Sequence, residues 1–93
     1  MELNPAEVAA IVPAYNEAGK IGAVVRKIPR KYASTVFVVD DASDDGTADE
    51  AREAGAERVL RHERNRGVGA GIRTGLLAAK AEGFPYAVIL SGD

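Results

Sequence analysis

The chain has 93 residues, 46% hydrophobic and 28% charged, with a formal charge of −2 and no cysteine. That length suits one small domain or part of one, and the charge favours neither nucleic acid nor an anionic membrane as partner. Disulfides and thiolate metal sites are excluded, no apolar run approaches the roughly 18 residues of a membrane span, and the amino terminus lacks a secretory pattern, so these residues are expected to be cytoplasmic whatever membrane association their protein has.

Val8-Ala-Ala-Ile-Val12 reads as a buried strand closed by Pro13, which has no N–H for a ladder. Asn16 is then expected to cap a helix whose apolar stripe is Ile21, Val24, Val25 and Ile28, ending at Pro29. Thr35-Val-Phe-Val-Val39 is a second buried strand and gives way to the acidic turn Asp40 to Gly46. Thr47 and Glu50 have the spacing of a capping box, Ala48 and Ala51 form a narrow helix face, and Gly55 supplies the stop. Arg58 to Leu60 is a weak third strand, with His62 read as a surface loop residue beyond it. A glycine-interrupted loop from Asn65 to Gly71 leads into a helix with Ile72, Leu76 and Ala79 on one face, ended by Gly83. Tyr86 to Leu90 is the fourth strand and Ser91-Gly-Asp93 the loop at its carboxyl end.

Alternating strands and helices predict an α/β fold: a parallel sheet with right-handed crossovers, strand order 3-2-1-4 and helices on both faces. Ligands of such sheets bind beyond the carboxyl ends of the strands where the winding reverses. Tyr15 to Glu17, Asp40 to Asp45 and Ser91 to Asp93 fall on that edge. An aromatic ring, an amide and a carboxylate in Pro13-Ala-Tyr-Asn-Glu17 can pack on a base and bond its polar edge or a ribose. Asp40 and Asp41 leave an extended strand side by side, so they point to opposite sides, one expected to face a ligand and the other to hold the loop through backbone N–H groups. Asp44 and Asp45 read as turn and helix-start residues. Asp93, ending a hydrophobic strand, is placed to bind a divalent cation. An acidic segment from Asp40 to Glu50 followed by Arg58, Arg61, Arg64, Arg66 and Arg73 suits a metal-bound phosphate ligand, although composition alone favours two solvated faces that pair with each other.

Four segments, Ile11-Val-Pro-Ala-Tyr-Asn-Glu17, Val38 to Thr47, Asn65-Arg-Gly-Val-Gly-Ala-Gly71 and Val88-Ile-Leu-Ser-Gly-Asp93, together resemble the ordered motifs of family 2 glycosyltransferases. Within that family the chain is most similar to polyprenyl-phosphate sugar transferases of the dolichyl-phosphate mannosyltransferase kind. The resemblance implies a GT-A, Rossmann-like fold, with residues 1–93 as the amino-terminal nucleotide-sugar-binding part of a transferase domain and the acceptor half beyond them. It implies that Pro13, Tyr15 and Glu17 contact the nucleoside, that Asp41 bonds the base, and that Asp93 matches the last aspartate of the metal motif and binds Mg²⁺ or Mn²⁺. Ser91 stands where the first aspartate of that motif often sits, and Val68 where a lysine often does. The implied reaction moves a sugar from a nucleoside diphosphate sugar to an acceptor such as polyprenyl phosphate, with inversion.

Two other classes compete. A non-catalytic nucleotide-binding module fits the same residues. A phosphoacceptor receiver domain shares the acidic cluster but carries its paired acids after strand 1, whereas here they follow strand 2. An unpaired fourth strand would also favour self-association.

Overall fold

The computed structural model describes residues 3–91, and Asp93 lies outside them. A 3₁₀ turn, Pro5–Glu7, leads into β1 (Val8–Ala14), followed by α1 (Ile21–Lys27), β2 (Thr35–Asp40), α2 (Thr47–Glu53), β3 (Arg58–Arg61), α3 (Val68–Ala81) and β4 (Tyr86–Ile89). The sheet is parallel with order β3-β2-β1-β4, as the sequence pattern predicts.

Period-two alternation splits the strands between two cores. Val8, Ala10, Val12, Val36 and Val38 face α1 and α2, where Ile21, Val25 and Ala51 meet them. Ala9, Ile11, Phe37 and Val39 face α3 and its Ala79. Phe84, just past α3, stands edge-on against Phe37 at 5.9 Å between ring centres. Burying a side chain of that size contributes roughly 1.5–3 kcal/mol. β4 is the exception: all four of its residues are exposed. Among the described residues, no helix is long and apolar enough to cross a membrane.

Several local expectations fail for physical reasons. Strand β1 does not stop at Pro13 but runs to Ala14, with Pro13 in register with Val39. The carbonyl of Ile11 accepts from Leu90 on the β4 side, while that of Ala14 accepts from Asp41 on the β2 side. Odd positions of β1 therefore address β4, so Pro13 aims its donorless nitrogen beyond the last bond to that strand. Asn16 does not cap α1, which starts at Ile21 after Lys20; it sits at φ +50° in the loop. The capping box does not form either, because α2 is preceded by Gly46 at φ +87° and Glu50 turns away to α1. Finally, α3 begins at Val68, inside the expected glycine loop, and its buried face is Gly71, Gly75 and Ala79, with Leu76 exposed.

Candidate functional site

The turn after β1 is held by side chains of the turn after β2. The N–H of Asn16 donates to Ser43 Oγ (2.8 Å), that of Glu17 to Thr47 Oγ1 (2.9 Å) and that of Ala18 to Asp45 Oδ2 (3.2 Å). Glu50 then accepts from Gly19 N at 2.7 Å and Gly22 N at 2.8 Å. Asn16 reciprocates, its Oδ1 accepting from Asp44 N at 3.2 Å. Short polar residues and carboxylates crowd Asp40–Glu50 because each unpaired N–H of the first turn needs an acceptor. Their acidity follows. The Thr47 hydroxyl and the N–H of Ala18 hold the Asp45 carboxyl below its ordinary value, and the N–H groups of Gly19 and Gly22 do the same for Glu50.

Asp40 and Asp41 diverge as alternation requires. Asp40 is fully buried on the side of α1 and α2, where its Oδ1 accepts from Ser43 N at 3.1 Å and from the Ser43 hydroxyl. Its Oδ2 lies 3.7 Å from Arg61 Nε and has no hydrogen bond among the described residues. Asp41 turns to the α3 side, accepting from Arg66 N and Gly67 N at 2.8 Å each. Both aspartates hold loops, and only Asp41 also lines the cleft described below, while Asp40 is buried away from it. Burial pushes the Asp41 carboxyl up, but the His62 ring N–H and the two backbone N–H groups outweigh it and leave it below the ordinary range.

His62 is not the surface residue expected from the sequence. It is 8% exposed, with Nδ1 2.7 Å from Asp41 Oδ1 and Nε2 2.7 Å from Thr74 Oγ1. Alternation carried one step past β3 was the available signal, since Leu60 faces the α3 core and His62 shares its parity.

A cleft of about 390 Å³ opens at the carboxyl edge between β1, β4 and the start of α3. Pro13, Tyr15, Glu17 and Asp41 line it together with Gly67, Val68, Gly71 and Ile72. Ile89, Leu90 and Ser91 close it along β4. Tyr15 is half exposed. Gly71 packs close to Pro13, since a Cβ there would lie 3.4 Å from that of Pro13, in van der Waals contact. The structure therefore gathers Pro13, Tyr15, Glu17 and Asp41 at one site. Among the described residues no group of three or more His, Cys, Asp or Glu side chains is placed to hold a metal ion. The acidic run instead accepts hydrogen bonds from backbone N–H groups.

The family model described as Glycosyl transferase family 2 matches residues 9–93. An uncharacterised protein of Methanocaldococcus jannaschii is 37% identical over 78 residues, covering 84% of this chain and 32% of that protein. The dolichyl-phosphate beta-glucosyltransferase of Drosophila melanogaster is 35% identical over 97 aligned positions, covering 87% of this chain and 30% of the enzyme. Glucosyl-3-phosphoglycerate synthase from Mycobacterium tuberculosis, solved with Mn²⁺, UDP and glucosyl-3-phosphoglycerate, superposes with a TM-score of 0.76 at 26% identity, over 92% of this chain and 33% of that one. The same enzyme has also been solved with Mg²⁺ and UDP. The chain spans about a third of the length of these relatives.

Proposed function

Because the chain belongs to glycosyl transferase family 2, we propose that its cleft binds the nucleotide of a nucleoside diphosphate sugar, as the donor site of an enzyme that transfers the sugar with inversion. The observation that carries this reading is the single cleft bringing Pro13, Tyr15, Glu17 and Asp41 to the switch-point edge of the sheet. Tyr15 offers its ring to a base, Pro13 an apolar surface beneath it, and Glu17 a carboxylate to ribose hydroxyls. A carboxylate has about four lone-pair sites. Asp41 uses three, on His62, Arg66 N and Gly67 N, leaving one for an N–H on the base edge.

Asp93 is the residue proposed to hold Mg²⁺ or Mn²⁺, with diphosphate oxygens and water completing the shell. Such a cation, when bound, neutralises the charge of the leaving diphosphate. The metal-bound Mycobacterium tuberculosis structures support this assignment by analogy. Polyprenyl phosphate is the proposed acceptor, supported by the fly dolichyl-phosphate relative; an ionised phosphate needs no general base. Holding acceptor and anomeric carbon together supplies roughly 7–11 kcal/mol of such a barrier, and we assign that task to residues outside this chain, so the chain alone is expected to bind nucleotide without turnover.

Calorimetric titration with UDP and with GDP, each with Mg²⁺ or Mn²⁺, tests the reading. Saturable heat with one of them is expected. A folded sample giving no heat with either at millimolar concentration overturns it.

A further inference from the structure

His62 enters its position by extending the pairing of β2 and β3 by one residue, its N–H donating to the Asp40 carbonyl at 2.9 Å. The side chain then lies between the end of β2 and the second turn of α3. On one side Nδ1 meets Asp41, and on the other Nε2 meets Thr74. An imidazole beside a carboxylate carries a proton on the nitrogen facing it, while Nε2 pairs with the Thr74 hydroxyl. Asp41 in turn holds the N–H groups of Arg66 and Gly67. Gly67, at φ +94°, is where the chain turns into α3 and lines the cleft. One buried chain of hydrogen bonds therefore grips α3 at both its entry and its second turn. Such networks fix a single geometry only while every member has its partner.

We infer that His62 and Thr74 are positioning residues for the nucleotide cleft, fixing the Asp41 carboxylate so that it grips the Arg66–Gly67 backbone and sets where α3 begins along the cleft wall. The functional half of this inference rests on the cleft being the nucleotide site proposed above. Neither residue touches the ligand. Volume filling alone is the competing role, and side-chain chemistry separates the two. An asparagine amide reaches the place of Nδ1 and keeps the donor to Asp41, a glutamine amide reaches the place of Nε2 and keeps Thr74, and leucine keeps only bulk.

The experiment uses the full chain with His62→Asn, His62→Gln, His62→Leu and Thr74→Val, the last at a half-buried position where folding is least at risk. Nuclear magnetic resonance follows hydrogen exchange at the Arg66 and Gly67 amides and the pH midpoint of their shifts, which reports the Asp41 carboxyl. Calorimetry follows UDP and GDP affinity. His62→Leu and His62→Gln should speed exchange at both amides, raise the midpoint and weaken nucleotide binding roughly tenfold or more, as losing a hydrogen bond to a charged group does. His62→Asn should stay close to wild type in all three, and Thr74→Val should shift them in the same direction by less. Equal behaviour of the Asn and Leu variants at the amides overturns the inference in favour of volume filling. Altered amides with unaltered affinity also overturn it, because the network would then hold the loop without shaping the cleft. A wild type that binds neither nucleotide defeats the reading of the cleft instead, and the amide readout still decides whether His62 positions Asp41.

Discussion

Replacing Gly75 by alanine tests how closely α3 must approach the sheet. The added Cβ would sit 2.4 Å from Ile11 Cγ2 and 3.3 Å from Val39 Cγ2. Carbon atoms pack best at about 3.5–4.0 Å, so either Ile11 leaves its rotamer or the helix withdraws by about 1 Å. Ile11 is fully buried in a central strand and has little room to turn. Overpacking of this kind destabilises by about 1–3 kcal/mol, whereas glycine to alanine inside a helix contributes about 1 kcal/mol in the other direction. A contact as short as 2.4 Å puts the overpacking cost at the upper end, about 2–3 kcal/mol, so the net expectation is a loss of about 1–2 kcal/mol, or roughly 5–15 °C in Tm for a domain of this size. Gly69 supplies the control within the same helix, since a Cβ there meets nothing within 4 Å and its φ is not in the left-handed region. Gly69→Ala should raise Tm, by up to about 1 kcal/mol of stability. Thermal denaturation followed by circular dichroism measures both. A Gly75→Ala chain melting at or above wild type would refute the argument that these glycines exist to seat α3 against β1 and β2.

Ala42, half-buried after Asp41, sits at φ +65°, where a β-branched side chain is strained by about 1–3 kcal/mol. Ala42→Val should lower Tm and Ala42→Gly should not; the opposite order in melting experiments would contradict it. Asp41, Asp45 and Glu50 titrate below their ordinary values of 3.8, 3.8 and 4.5 when folded. Since the unfolded chain then takes up protons first, stability is fully present above those ordinary values and declines as pH falls through the folded ones. Melting across a pH series should show that decline, less steeply in Glu50→Gln, and a Tm as high near about pH 2.5 as at neutrality would exclude it. Tyr86, Val88 and Ile89 are each more than 40% exposed on the edge strand, so the chain is expected to self-associate and Val88→Lys to reduce this. Sedimentation showing a monomer at all concentrations would remove that expectation.

The sheet order was legible because each strand is a β-branched or apolar run and each crossover ends in a helix stop such as Gly55 or Gly83. Alternation also told correctly that Asp40 and Asp41 part company. It did not tell where local motifs are overridden by distant partners. Thr47 and Glu50 have capping-box spacing, yet Glu50 serves the start of α1, since those N–H groups lie nearer once the helices pack. Gly69 and Gly71 look like loop, yet they lie in α3, with Gly71 on its buried face beside Pro13 and Val39. His62 carries no motif, and its burial depends on Asp41 and Thr74 arriving from elsewhere in the chain.

Surface turns ordinarily absorb insertions and deletions. The turn after β1 is built so that it cannot. Its donors at Asn16, Glu17, Ala18, Gly19 and Gly22 each meet a particular side chain 27 to 31 residues later. A single residue added between Tyr15 and Gly22 would set every following donor opposite the wrong acceptor, and no backbone slip could restore the match because the acceptors are side chains. The length of one turn is therefore tied to the sequence of the other. Transplanting this corner onto another parallel sheet requires moving both segments together, Tyr15 to Gly22 with Ser43 to Glu50, as one graft.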